Sequence, residues 1–418
     1  MKFQDFHKNI QIRIIESFIS RFVGSMIFPF MSIYLAYHFG AKLAGLLLLC
    51  NVLVGIGMNF IGGYFSDQFG RRKVMLFAEV LRFGAFFTMM ICNSPWFFSP
   101  TITFFMMTIN SVCWALAGPA NQAMLIDVST PEQRKLMYSI MYWANNLSIA
   151  IGGILGAFLY QDYLFELFVV LCIVAAVVVF LVYVYIKESY VPEEQSSFKP
   201  LQHVSRIFSS YRRVLQDRLF VVFVIAGVLV MSMEFQLTNY IGIRLSDQMP
   251  NQQFLLWEVD GVTMMGFLRS ENTILVALLA LFVTKISGNW KDRSILVTSC
   301  FLFSIGYAVI SYSNSIWLLC IMMVVLTVGE VFRVPVEQAY TAAIPPDDAR
   351  SAYMAFVGMR FNLGMLIASI TVTLSAYLST IIMAIIITSV GLLGTFLYYV
   401  ITPQLDERKA IAELKQTA

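Results

Sequence analysis

Apolar runs of about 20 residues follow one another through almost the whole of this 418-residue chain. One such run suffices to cross a bilayer, whose hydrocarbon core is about 30 Å thick. A water-soluble core has no need of them. Lipid offers no hydrogen bonds, so each run must satisfy its own backbone N–H and C=O groups and fold as a helix. Twelve segments are predicted, near 11–36, 42–66, 73–94, 98–126, 136–160, 165–187, 219–245, 272–286, 294–312, 316–342, 352–377 and 380–402. Charged residues make up 13% of the chain, about half the soluble average of roughly 25%. The predicted fold class is therefore an all-α integral membrane protein with twelve transmembrane helices.

Several function classes drop out. A net charge of +3 is too small to suggest nucleic acid as a partner. Cys50, Cys92, Cys113, Cys172, Cys300 and Cys320 lie within apolar runs and form no CxxC pair, so neither a disulfide framework nor a zinc site is expected. His7, His38 and His203 fall outside the predicted spans, which leaves no buried histidine-based metal site. The N-terminus, "MKFQDFHKNIQIR", is polar and leads into a full-length span, so no cleavable signal peptide is expected.

Lysine and arginine placement sets the expected orientation. One side collects Arg71, Arg72, Lys73, Arg134, Lys135, Lys291, Arg293, Arg350, Arg408 and Lys409, while the other has little beyond Lys42 and Arg269. Both termini are expected in the cytoplasm. A polar linker over 188–217, with Pro192 and Pro200, separates a six-helix bundle over 1–187 from a second over 218–402, and 403–418 is left as a cytoplasmic tail.

The halves repeat. "PANQA" at 119–123 matches "PVEQA" at 335–339, a spacing of 216. The same spacing relates Arg134 to Arg350 and Asn146 to Asn362. Two six-helix repeats in parallel relation resemble the architecture of major facilitator transporters.

A second feature carries the same resemblance. "GGYFSDQFGRRKV", Gly62 to Val74, falls between the second and third spans. Gly63, Asp67, Gly70, Arg71 and Arg72 resemble the loop signature of that superfamily. The glycines permit a tight turn and close helix approach. The resemblance implies that the acid and bases pair with helix ends and charges of the opposite half, latching one state. A plain positive-inside anchor would account for the bases but not for Asp67 with both glycines. The usual base directly after the acid is Gln68 here, so the latch is expected to differ in detail. "DVSTPEQR", Asp127 to Arg134, adds Asp127 and Arg134 to the gating set, and "IPPDDAR" echoes it after the tenth span.

Charges also lie inside spans, where each costs about 2.5–3.5 kcal/mol on insertion scales. The first span holds Glu16 and Arg21, with Arg13 near its end; the third holds Glu79 and Arg82. The seventh holds Glu234; the tenth holds Glu330, Arg333 and Glu337; the eleventh holds Arg360. The second, fifth, sixth, eighth, ninth and twelfth have no charge near their middles. In the superfamily, spans 1, 4, 7 and 10 line the central cavity, so most of this charge falls on cavity helices. At about 1.5 Å per residue, Arg21, Glu330 and Arg360 come near mid-depth and Glu234 somewhat beyond. Glu330, Arg333 and Glu337 share one helix face at i, i+3, i+7.

Proton coupling is the functional reading. A carboxylate in a poorly hydrated cavity favours its neutral form, and a nearby arginine restores the charged one. A glutamate whose surroundings alternate can bind a proton on one side and release it on the other. Glu330 is the first candidate and Glu234 the second. Glu79 with Arg82 reads as a structural ion pair, and Arg333 with Glu337 reads equally as a helix pair. Trp114, Tyr142, Trp143 and Tyr240, beside Asn146 and Asn239, are the candidate pocket-lining residues. Gly152 and Gly156 have the small-xxx-small spacing of close helix packing.

Within the superfamily the chain resembles the drug/proton antiporters over nearly its whole length. "NIQIR", "IDVSTPEQRK" followed by "YWANNLS", "YRRVLQD", "VGEVFRVPVEQ" and an external segment "FLLWEVDGVTMMGFLRS" carry this. The resemblance implies a bacterial plasma-membrane monomer that exchanges amphipathic, often cationic, small molecules for protons, with no cofactor beyond the proton gradient. It carries functional acids onto Asp67, Asp127 and Glu330, and a base onto Arg13. It also marks departures: Met141 and Thr238 stand where acids are expected, with Glu234 about one turn before Thr238. An uptake symporter for a small metabolite or peptide is one alternative, although Glu16 and Arg21 have the wrong spacing for the peptide-symporter motif. An exporter of a lipid-like substrate is another. No nucleophile constellation or phosphate loop suggests an enzyme.

Overall fold

Helix boundaries repeat at the spacing seen in the sequence. In the computed structural model, which describes residues 3–189, 214–254, 257–287, 290–346 and 350–417, α4 (Pro100–Asp127) and α11 (Ile316–Ala343) are both 28 residues long. Both ends are offset by 216, and each helix has one internal proline, Pro119 and Pro335. The ends of α5 (Pro131–Leu159) and α12 (Arg350–Ser375) keep that offset, as do the starts of α6 (Leu164–Tyr185) and α13 (Thr380–Thr417). The remaining helices are α1 (Lys8–Ile27), α2 (Met31–Phe69), α3 (Arg71–Cys92), α7 (Arg218–Glu234), α8 (Gly242–Gln248), α9 (Gly261–Ser287) and α10 (Asp292–Ile310).

Two compact units divide the chain: Met1–Gly40 with Leu46–His203, and Ala41–Gly45 with Val204–Ala418. The first packs α3 on α4 and α6, and α1 on α5 and α6. The second packs α10 on α11 and α13, and α7 on α12 and α13. These are the same neighbours one repeat later. Lipid tails are as apolar as leucine, so such contacts depend on close fit rather than on expelling water. Val74 and Met75 of α3 meet Ala120 and Met124 of α4 and Val178 and Val182 of α6. At Gly156 of α5 a Cβ would lie 2.5 Å from the Met26 carbonyl oxygen of α1, so the small-residue spacing here serves backbone-to-backbone approach.

Eleven stretches of the described residues are long and apolar enough to cross a bilayer. The first, Lys8–Met58, is 51 residues, about 75 Å at 1.5 Å per residue. That is enough for two crossings. A 3₁₀ turn at Phe28–Phe30 and Gly40, at φ 76°, interrupt it, which brings the crossings to twelve.

Two predicted boundaries are corrected. The eighth span begins at Gly261, not near 272, and Thr263 N–H bonds to Asp260 Oδ1 at 2.8 Å to cap it. The helix is therefore longer than its apolar run, and it takes in Arg269 and Glu271. The polar run "RSEN" had masked the continuity of this helix. The expected tail, 403–418, continues α13 to Thr417. Pro403 removes one backbone donor, yet the Thr402 hydroxyl reaches the Tyr399 carbonyl at 3.4 Å, the carbonyl Pro403 leaves unserved. Beyond it Asp406 accepts from Tyr340, Arg408 pairs with Asp217 at 2.7 Å and Lys409 with Asp292 at 2.8 Å. The expected linker lies outside the described residues from 190 to 213.

Candidate functional site

Most of the intramembrane charge of the second unit gathers around α11. Arg333 and Glu337 are one turn apart on that helix and pair at 2.7 Å. Arg360 of α12 reaches the other oxygen of Glu337 at 2.6 Å, and the Tyr398 hydroxyl of α13 donates to that oxygen at 2.7 Å. Arg360 also donates to the Phe223 carbonyl at 3.3 Å and lies over the Phe223 ring. Arg333 lies over Phe303. Gly227 of α7 makes room: a Cβ there would come 2.7 Å from Arg360 Cζ and 2.8 Å from Glu337 Oε1. Arg333, Glu337 and Arg360 are all buried. The Arg333–Glu337 spacing thus forms a helix pair, and two further helices close it into a knot.

Glu330, one turn before Arg333, stands apart from that knot. It is half-buried and accepts from the Asn272 amide at 2.8 Å. Asn272 also donates to Thr327 at 3.0 Å. Among the described residues no ion pair holds Glu330. Glu234 ends α7 and is exposed, and the charges of Glu330, Arg333 and Arg269 act on it. The chain then makes a π-helical turn over Leu237–Ile241, a rare form that recurs at functional sites. Asn239 lies in that turn, buried, its amide donating to the Phe235 carbonyl at 2.7 Å. Tyr240 is 3% exposed, its hydroxyl donating to the Ser311 carbonyl at 3.5 Å, so it does not line a pocket as expected. Arg244, which sequence reasoning missed, caps the end of α10. Its guanidinium donates to the carbonyls of Ile310, Tyr312 and Ser313 and to Asn314.

The first unit holds a second cluster. Glu16 accepts from Arg13, three residues before it, and lies 3.8 Å from Arg82 of α3. Arg82 also pairs with Glu79. The Glu79–Arg82 pair read from spacing is therefore present, but as part of a chain of four charges. Arg13, expected in gating, is buried in that chain. Arg21 lies over the ring of Trp114. Tyr142 and Trp143 are 57% and 65% exposed on α5, and Asn146 donates to the Tyr142 carbonyl at 2.8 Å.

The glycine-bearing loop makes the turn its residues call for. Gly70 adopts φ 92°, ψ 150°, a region essentially restricted to glycine. Arg71 pairs with Asp127 of α4 at 2.6 Å. The Arg71 and Arg72 backbone N–H groups bond to Glu188, just past α6, at 3.0 and 3.1 Å. An acid at a helix N-terminus meets both its unpaired donors and its dipole. Ser189 bonds Asp127 at 3.0 Å. These partners all belong to the first unit. Nothing in the sequence spacing had brought Glu188 to this loop. Gly63 falls within α2, and the side chains of Asp67 and Arg134 lie outside the described residues.

The repeated helix pattern has counterparts among known proteins. The sequence profile of the Major Facilitator Superfamily matches residues 15–257 and 255–417. The chain belongs to the Major Facilitator Superfamily. It is 30% identical to a Na(+), Li(+), K(+)/H(+) antiporter of Planococcus maritimus, over 95% of this chain and 96% of that one. It is 23% identical to the multidrug resistance protein MdtH of Klebsiella pneumoniae, over 81% of this chain and 79% of that one. Among solved structures the nucleoside transporter NupG superposes with a TM-score of 0.75 at 11% identity, covering 94% of this chain and all of that one. A peptide transporter, POT, reaches 0.74 at 13% identity, over 96% and 95%. These two likenesses concern the fold. The protein is a multi-pass membrane transporter and not an enzyme.

Proposed function

We propose that this transporter is a proton-coupled antiporter that exports amphipathic cations by alternating access. The observation that carries the reading is the contrast within α11. Glu337 is held by two arginines and a tyrosine and has no freedom to exchange a proton. Glu330, two turns before it on the same helix face, is held only by an amide, and its charge acts on Glu234. An acid without a fixed cation can take a proton or a substrate cation in turn, which is what antiport requires. The multidrug relative supports an amphipathic substrate, and the antiporter relative supports exchange. Glu330 is the coupling acid and Glu234 its partner. Arg333 tunes both while anchored to Glu337. Asp67, Arg71, Asp127 and Arg134 form the gate, at the end of the protein that lysine and arginine assign to the cytoplasm.

A second reading has its own support. The relative at 30% identity is named for sodium, lithium and potassium, and Glu330 with Asn272 and Thr327 presents hard oxygen atoms that suit such ions. Proteoliposomes carrying a pH gradient separate the two. Gradient-driven ethidium movement that sodium leaves untouched supports drug export. Proton flux evoked by sodium or lithium but not by ethidium supports the alkali-cation reading. No flux with either refutes both.

A further inference from the structure

The charges inside the membrane spans of the first unit do not balance. Arg13, Arg21 and Arg82 stand against Glu16 and Glu79, one cation in excess. The two glutamates are taken by Arg13 and Arg82. Arg21 enters no ion pair among the described residues, and its Nε is buried without a partner. A lone cation inside a span is costly unless it has a partner, so the absent counter-charge calls for a cause.

What Arg21 faces is an aromatic ring. Its Cζ lies 5.8 Å from the centre of Trp114, and Arg82 Cζ lies 5.7 Å from the same centre. Arg82 is neutralised by its acids. Arg21 is not, and Trp114 remains 49% exposed, so the pair can be reached. On α4, Asn110, Trp114 and Asn121 recur at i, i+4 and i+11, which places them along one side of the helix. The oxygens Asn110 Oδ1 and Asn121 Oδ1 have no partner. An apolar helix thus carries a polar stripe with an indole in its middle, opposite a guanidinium lacking an anion.

We infer that Arg21 and Trp114 form a subsite for an aromatic compound bearing a carboxylate. The planar guanidinium takes the carboxylate in a two-point bond, and the exposed indole takes the ring. The bound carboxylate supplies the counter-charge that Arg21 lacks. It does not depend on which cation the second unit handles.

The full-length protein in phosphatidylcholine nanodiscs, titrated calorimetrically with 2-naphthoate, tests this. Saturable binding is expected, with methyl 2-naphthoate failing to bind. Arg21→Gln should weaken binding at least about tenfold, since a charge-assisted bond is lost. Arg21→Lys should fall between the two, and Trp114→Leu should weaken binding with Arg21 intact. Arg21→Gln removes an unpaired charge, so its thermal midpoint should hold or rise, which separates lost binding from lost folding. Equal affinity in Arg21→Gln, or equal binding of the ester, overturns the inference. So does a site that binds inorganic phosphate but not naphthoate.

Discussion

Replacing Glu337 by glutamine separates the closed knot from the loose acid beside it. Glu337 accepts from Arg333 at 2.7 Å, Arg360 at 2.6 Å and Tyr398 at 2.7 Å. Arg333, Glu337 and Arg360 are 4%, 8% and 7% exposed, so water cannot replace what is lost. Glutamine keeps the shape but leaves two buried guanidiniums facing a neutral amide. Breaking one buried pair this way costs about 3–5 kcal/mol. At roughly 2–4 °C per kcal/mol for a domain of about 200 residues, the thermal midpoint should fall by about 6–20 °C. Glu330→Gln keeps its amide contact and loses no ion pair, so its midpoint should move by no more than about 2 °C for a change under about 0.5 kcal/mol. Differential scanning fluorimetry in one detergent reads both. A Glu337→Gln midpoint equal to wild type, or a Glu330→Gln drop as large, would refute the division between knot and loose acid.

Other outcomes follow from the same contacts. Burial tends to raise the Asp217 carboxyl, but hydrogen bonds from Arg408, Phe220 N–H and Tyr353, with the charge of Arg408, outweigh it and hold the group below its ordinary value. A depressed folded-state pKa stabilises above the unfolded value of about 3.9 and is lost as pH falls below it. Midpoints measured from pH 7 to pH 3 should therefore show a decline that is smaller in Asp217→Ala, a variant also weaker at pH 7 by about 0.5–2 kcal/mol through its lost helix cap; an identical pH profile refutes the assignment. Gly156→Val should separate α1 from α5 at a cost of about 1–3 kcal/mol, since the obstacle is Met26 backbone, and an unshifted midpoint would contradict that packing. Arg244→Met leaves three carbonyls and an amide without their donor and should cost several kcal/mol, read as lost monodisperse yield; a wild-type elution profile and midpoint would show the cap is dispensable.

The sequence made much of this legible, for identifiable reasons. Hydropathy finds helices because lipid permits little else, and the 216-residue repeat predicts that α4 and α11 share length and proline position. Charge pairs within one helix, Glu79–Arg82 and Arg333–Glu337, follow from i, i+3 and i, i+4 spacing. Partners on other helices do not. Arg360 on Glu337, Arg82 near Glu16 and Glu188 on the α3 N-terminus depend on packing that no local spacing encodes. Gly227 gave no signal of its own, since only the passing guanidinium explains it. The start of the eighth span is hidden because "RSEN" has the composition of a loop, although Glu271 reaches Cys320 and Asn272 reaches Thr327 and Glu330, all on α11. Tyr240 has the sequence surroundings of a pocket wall, and its burial against the end of α10 depends on packing between helices.

The central claim is that Glu330 exchanges a proton for the transported cation. Proton release on substrate binding tests it most directly. Purified protein in weakly buffered detergent solution, with a pH-indicator dye, is mixed with ethidium, and the released protons are counted. Release in the wild type that disappears in Glu330→Gln, while Glu234→Gln only reduces it, is the result this account predicts. Undiminished release in Glu330→Gln, or ethidium binding to the wild type with no release, would contradict it.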